Sequence, residues 1–279
     1  MRLHIPPAAP SESAEPPIGV FDSGIGGLAV VREILRQAEA PPPLVYLADQ
    51  AHAPFGTRPV EEVEAISSAI AAALLRLPCG IVVLACNTAS AAALYPLREQ
   101  WPESLFVGME PAVKPAAARS RNGRIGVIAT ANTLRGQPYA GVVARFAADR
   151  AVHTLACPEF VELVETGETD SARARIMVEK KLYPLLSHGI DQLVLGCTHY
   201  SFLKPLIETA CRGRAQVIDP VEAVARQTLR VWRQQNQPAA APGAIRFLTT
   251  APERQAALAA AIGRFLPARP RVEIAVWQS

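Results

Sequence analysis

Short apolar runs alternate along the chain with stretches where apolar residues return every three or four positions. Ile18 to Asp22 is one such run, and Ser23-Gly24-Ile25-Gly26-Gly27 turns the chain after it. Leu28 to Ala38 places apolar residues at 28, 31, 34 and 35, the spacing of a helix with one buried stripe. Pro41 to Pro43 stop that helix, Leu44 to Ala48 reads as a second buried strand ending at Asp49, and Glu61 to Leu75 is an alanine-rich helix. Ile81 to Ala85 is a third strand closing on Cys86, and Ala89 to Arg98 a further helix. Strands alternating with helices predict an α/β fold built on parallel sheets.

The same order then recurs. Ile125-Gly126-Val127 repeats Ile18-Gly19-Val20 at an offset of 107, and Leu193 to Thr198 echoes Val82 to Asn87 at an offset of 111. Both echoes end in the same polar signature, which predicts a duplicated unit rather than a chance likeness of buried strands. The expected architecture is two similar α/β domains with mainly parallel sheets, related by a pseudo-twofold axis, with the active site in the cleft between them. Residues 18–111 with 220–279 form the first domain, 112–219 the second, and 1–17 a flexible leader. Glu110 to Pro115 is the expected linker between units, and Gln234 to Gly243 a flexible stretch before a final strand and helix. Arg271 to Trp277 is expected to add an edge strand.

Composition narrows this picture. A length of 279 residues suits one large or two modest domains, and 50% hydrophobic against 19% charged residues provides for a packed core and excludes overall disorder. The most apolar stretch, Ala65 to Ala85, is broken by Arg76, Pro78 and Gly80, so no membrane span is expected. Net charge is +3, from 28 basic and 25 acidic residues that are scattered, which gives no argument for a nucleic-acid partner. Met1 to Pro17 has five prolines and no apolar core, so it reads as neither signal peptide nor anchor. A cytoplasmic location is expected, with Cys79, Cys86, Cys157, Cys197 and Cys211 as free thiols.

Two of those thiols stand where chemistry is expected. Cys86-Asn87-Thr88 and Cys197-Thr198-His199 each follow a buried strand, and open α/β sheets bind ligands beyond the carboxyl ends of their strands. Two thiols on opposite sides of one carbon suit inversion of a stereocentre beside a carboxylate, where one base removes the proton and an acid returns one to the other face. A thiol titrating near pH 8.5 allows thiolate and thiol to coexist near neutrality. Asn87, Thr88, Thr198 and the following backbone N–H groups could hold the carboxylate and the charge that builds on it. Taken singly, a buried structural cysteine is the plainer account, and Cys79, Cys157 and Cys211 stay under it. His199 is placed to tune or shuttle the Cys197 proton. Asp22-Ser23 offers either a polarising carboxylate or a helix N-cap. No metal is expected, because no pair of cysteines has ligand spacing and Cys197-x-His199 is too tight. The rival reading is a dinucleotide-dependent oxidoreductase. Gly24-Ile25-Gly26-Gly27-Leu28-Ala29 fits G-x-G-x-x-A, and Asp49 ends the next strand, but that fingerprint leaves both cysteine motifs unexplained.

The combination GVFDSGIGGL, APFGT, ACNTAS and LGCTHY closely resembles the glutamate racemases of the cofactor-independent aspartate/glutamate racemase superfamily, from about Ile18 to Asp219 and in family order. The resemblance implies two α/β domains, no cofactor, and D-glutamate made for peptidoglycan. It makes Cys86 and Cys197 the two bases, the first acting on D-glutamate and the second on L-glutamate. Asp22 and His199 match the groups that assist them, and Glu165 a further acidic residue of the site. Ser23, Asn87, Thr88 and Thr198 match substrate contacts, with Asp22, His199, Phe55 and Gly56 beside them. An aspartate or other amino-acid racemase is the alternative, and His199, where aspartate racemases tend to have Glu, favours glutamate. A non-catalytic binding protein on the same fold is the reading from another class. The chain departs from the family at Phe55, where Tyr is usual, at Asn132, where Gly is common, and at Ser201, where Pro is common. The partner implied is glutamate, with neither nucleic acid nor membrane. A homodimer is the assembly considered.

Overall fold

The computed structural model describes residues 1–7, 15–235, 243–267 and 271–278. The chain opens with β1 (Arg2–His4), β2 (Ile18–Asp22), α1 (Leu28–Gln37), β3 (Leu44–Ala48), α2 (Val60–Arg76), β4 (Ile81–Leu84), α3 (Asn87–Gln100) and β5 (Phe106–Gly108). Next come α4 (Val113–Arg119), β6 (Arg124–Ala129), α5 (Ala131–Arg135), α6 (Gln137–Phe146), β7 (Ala151–Ala156) and α7 (Pro158–Glu165). They are followed by α8 (Ala172–Ser187), β8 (Gln192–Gly196), α9 (Lys204–Cys211) and β9 (Gln216–Ile218). The chain ends with α10 (Val221–Gln235), β10 (Ile245–Thr249), α11 (Gln255–Phe265), β11 (Val272–Ile274) and β12 (Val276–Gln278). Among the described residues no helix is long and apolar enough to cross a membrane.

These elements form two compact α/β units, one of residues 1–109 and 221–279, the other of residues 110–220. The first holds a six-stranded sheet in the order β11-β10-β3-β2-β4-β5, parallel throughout. The second holds a four-stranded parallel sheet in the order β7-β6-β8-β9. Central strands β2, β3, β4 and β8 are buried at every position, which is why they read as unbroken apolar runs.

The duplication is built into the sheets. In each unit the first of four successive strands lies between the second and the third, with the fourth outside the third: β3-β2-β4-β5 and β7-β6-β8-β9. Gly19 pairs with Val82 in one and Gly126 with Leu193 in the other, so the two sequence echoes occupy the same register. Both glycines answer one packing need. A Cβ at Gly19 would lie 3.1 Å from Cys79 Sγ, and one at Gly126 would lie 2.5 Å from Ile190 Cδ1. In both units side chains on the way into the third strand press on the first.

The chain ends differ from expectation. Residues 2–4 are not a flexible leader but strand β1, paired antiparallel with β12, Leu3 opposite Trp277. Leu3 and Ile5 join the core of the first unit with Phe21, Leu47, Ile70 and Leu84, and burying such a side chain stabilises by roughly 1.5–3 kcal/mol. Arg271 to Trp277 supplies two strands rather than one: β11 extends the six-stranded sheet beside β10, and β12 leaves it to join β1. Val113 to Pro115, expected as linker, begin helix α4. Gln234 and Gln235, expected in a flexible stretch, close α10, while 236–242 lie outside the described residues.

Candidate active site

In the first unit the strand ends converge by register. Asp22 pairs with Ala48 and Phe21 with Leu84, and the backbone ties continue one step further, Asp49 N–H donating to the Asp22 carbonyl and Ala85 N–H to that of Phe21, both at 2.9 Å. Asp22 and Cys86 therefore finish on one edge. The Cys86 thiol lies 3.9 Å from Ser23 Oγ. Cys86 is the N-cap of α3, in extended backbone, and a thiolate there meets the positive end of the helix. Ser90, one turn in, donates to the Leu84 carbonyl at 2.9 Å and accepts from Met109 N–H at 2.8 Å, fixing the turn that carries Cys86. Asn87 is buried, and neither its amide oxygen nor its nitrogen has a hydrogen-bond partner within the protein. Leaving such groups unpaired costs about 1–3 kcal/mol each. A side-chain amide offers donor and acceptor together, the complement of an amino acid's carboxylate and ammonium.

Asp22 does not cap α1, whose N-cap is Gly27. Its carboxylate instead closes a turn, accepting from Gly24 N–H at 2.8 Å while fully buried. Phe55 opens a short 3-10 turn, Phe55–Thr57, and its ring packs into the core with Cys86 and Ala89. Contact with a small molecule from Phe55-Gly56 would therefore come from the backbone.

In the second unit β8 ends at Gly196, and Cys197 stands at the start of a 3-10 turn, Thr198–Phe202, with Thr198 and His199 buried. Cys197 Sγ is 3.8 Å from His199 Nδ1, and His199 Nε2 is 2.8 Å from Glu165 Oε1, the last residue of α7. Burial alone would lower the imidazole's pKa. The hydrogen bonds to Cys197 and Glu165, and the negative charges behind them, outweigh that and hold His199 well above its ordinary value. Placed between a sulfur and a carboxylate, the ring is shifted toward the imidazolium form. Beneath it, Tyr200 donates to the Cys157 carbonyl at 2.8 Å and packs edge-on against Phe160. Ser201 uses its hydroxyl to reach Asp219 Oδ1 at 3.1 Å.

The remaining cysteines behave as core residues. Burial pushes the Cys79 and Cys157 thiols up to about 12 and Cys211 to about 11, out of reach of proton transfer near neutrality. The oxidoreductase rival loses its ribose hook: Asp49 is fully buried and already accepts from Thr250 Oγ1 and Trp277 Nε1. Ser90, which braces the Cys86 turn, was not foreseen. After β6, Thr130 caps α5, accepting from Thr133 N–H at 3.3 Å, with the two hydroxyls 2.9 Å apart. Among the described residues no group of three or more His, Cys, Asp or Glu is placed to hold a metal ion.

Duplicated parallel α/β units, each closing its third strand on a cysteine with hydroxyl, amide or imidazole neighbours, define a class. The sequence pattern of the Asp/Glu/Hydantoin racemase family matches residues 18–228, and the chain belongs to that family. Within it, the similar proteins carry a narrower name. The chain is 49% identical to a glutamate racemase of Pseudomonas paraeruginosa over 221 residues, 79% of this chain and 82% of that one. Its fold is similar to the crystal structure of glutamate racemase isoform RacE1 from Bacillus anthracis, with a TM-score of 0.82 and 31% identity over 94% of this chain and 98% of that one. It is also similar to the Francisella tularensis glutamate racemase solved in complex with D-glutamate, with a TM-score of 0.81 and 25% identity over 93% and 97%.

Proposed function

We propose that this chain is a glutamate racemase that interconverts L- and D-glutamate by proton transfer at the α-carbon. The observation that carries the proposal is the equivalence of Cys86 and Cys197: each follows the third strand of a duplicated sheet and starts a helical turn. In the forward reaction the Cys197 thiolate, held beside the His199 imidazolium, takes the α-proton of L-glutamate. Charge passes to the substrate carboxylate, where Asn87, Thr88, Ser23 and Thr198 are the donors assigned to it. The Cys86 thiol then delivers a proton to the opposite face, becoming the thiolate, and the Asp22 carboxylate polarises that thiol or meets the substrate ammonium. The reverse reaction exchanges the roles, since both directions share one carbanion. Glu165 keeps His199 charged and aimed.

No pyridoxal phosphate, metal or nucleotide takes part in this scheme. The protein works in the cytoplasm, supplies D-glutamate for peptidoglycan, and a homodimer is the assembly to look for in sedimentation. Circular dichroism of L-glutamate incubated with dialysed, chelator-treated protein should decay to zero, and L-aspartate should hold its signal. A signal that decays only after a cofactor is added overturns the proposal, and faster decay of L-aspartate moves it to an aspartate racemase.

A further inference from the structure

Asp49 closes β3 and is fully buried, and its carboxylate gathers donors from three separate parts of the chain. Thr250, just past β10, donates to Oδ1 at 2.7 Å, and Trp277 Nε1, in β12, donates to the same oxygen at 2.9 Å. His52 Nδ1 lies 2.9 Å from Oδ2 and 3.1 Å from Oδ1, and its ring stands edge-on to Trp277 with centroids 5.0 Å apart. The same groups hold the backbone that follows. Ala51 N–H donates to Thr250 Oγ1 at 3.0 Å, and His52 N–H to the Asp49 carbonyl at 3.2 Å. The Arg58 guanidinium donates to the His52 carbonyl and pairs with Glu62. The loop so fixed, 50–58, carries Phe55 and Gly56.

A carboxylate with donors on both oxygens is stiff, because moving any one partner leaves buried charge under-satisfied. We propose that Asp49, His52 and Trp277 form a positioning network that sets the Phe55-Gly56 backbone for substrate. Trp277 is thus a determinant of substrate affinity, although it lies outside the 18–228 span that carries the family pattern. The strand pair β1–β12 is what seats it, so both ends of the chain act on the loop. That Phe55-Gly56 meets substrate, and which substrate it is, rests on the glutamate racemase reading; the network itself does not.

Trp277→Phe keeps an aromatic ring against His52 while it removes the Nε1 donor together with part of the indole. Hydrogen exchange at the Ala51 and His52 amides, measured without substrate, should quicken about tenfold, the ratio equivalent to one hydrogen bond's net worth. KM for glutamate should rise by about the same factor while kcat stays within about twofold. Unchanged exchange overturns the network, and faster exchange with unchanged KM, or a fall in kcat alone, overturns its role in affinity. Should Trp277→Phe fail to fold, His52→Leu, which also removes a donor to Asp49, carries the same expectations. If the wild type does not racemise glutamate, the substrate reading fails, and the exchange rates still decide whether the network holds the loop.

Discussion

His199 stands between a sulfur and a carboxylate, and each of the three groups steadies the charge of the next. Its raised pKa has a definite consequence for stability. The folded value lies above the unfolded one near 6.5, so the stabilisation is full below about pH 6.5 and is lost as pH climbs through the raised value. Thermal melts of wild type and His199→Gln from about pH 6 to about pH 10 should therefore converge as pH rises. A gap that widens with pH would contradict the imidazolium assignment. The same substitution should slow L-to-D conversion by roughly 10²–10⁴-fold, the usual worth of assisted proton transfer, and weigh less on D-to-L, where Cys86 is the base. The two thiols, Asp22 and His199 were legible in the sequence because each sits at or just after a buried strand's end. Glu165 was reached only through resemblance. Its contact spans 34 residues and depends on α7 packing against the Cys197 turn, which no local spacing encodes.

Where elements meet, the equivalence of β2 and β6 fixes a glycine in each. Placing Ala at Gly126 puts a methyl 2.5 Å from Ile190 Cδ1 and 3.2 Å from Leu185 Cδ2 inside a close-packed interior, at a cost of about 1–3 kcal/mol. Urea unfolding should show that loss, and Ile190→Val combined with Gly126→Ala should recover part of it through the shared contact. Strictly additive losses would mean the helix side does not press on β6. The buried strands were readable because burial on both faces leaves an unbroken apolar run, as in β2 and β3. The edges were not. β7 is half-exposed along its length and carries His153 and Thr154 within a short apolar pattern. Leu3 in β1 and Ile5 just after it alternate correctly for a strand, but the prolines behind them read as a floppy leader, and the partner β12 lies at the other end of the sequence. The role of Asp49 is hidden for the same reason: its partners Thr250 and Trp277 are more than 200 residues away in sequence.

At the scale of the whole molecule, the account assigns one base to each of two similar units. Inversion needs a base and an acid, so the proposed mechanism requires both thiols. Serine in place of either cysteine should also be severe, because a hydroxyl is a far weaker acid than a thiol. In deuterated water, wild-type product should acquire solvent deuterium before the remaining substrate does, since each thiol returns protons only to its own face. The most direct test is racemisation by Cys86→Ala, followed from both L- and D-glutamate, with circular dichroism of the protein confirming an unchanged fold. The two-thiol account predicts no conversion in either direction. Substantial racemisation by that variant would contradict it.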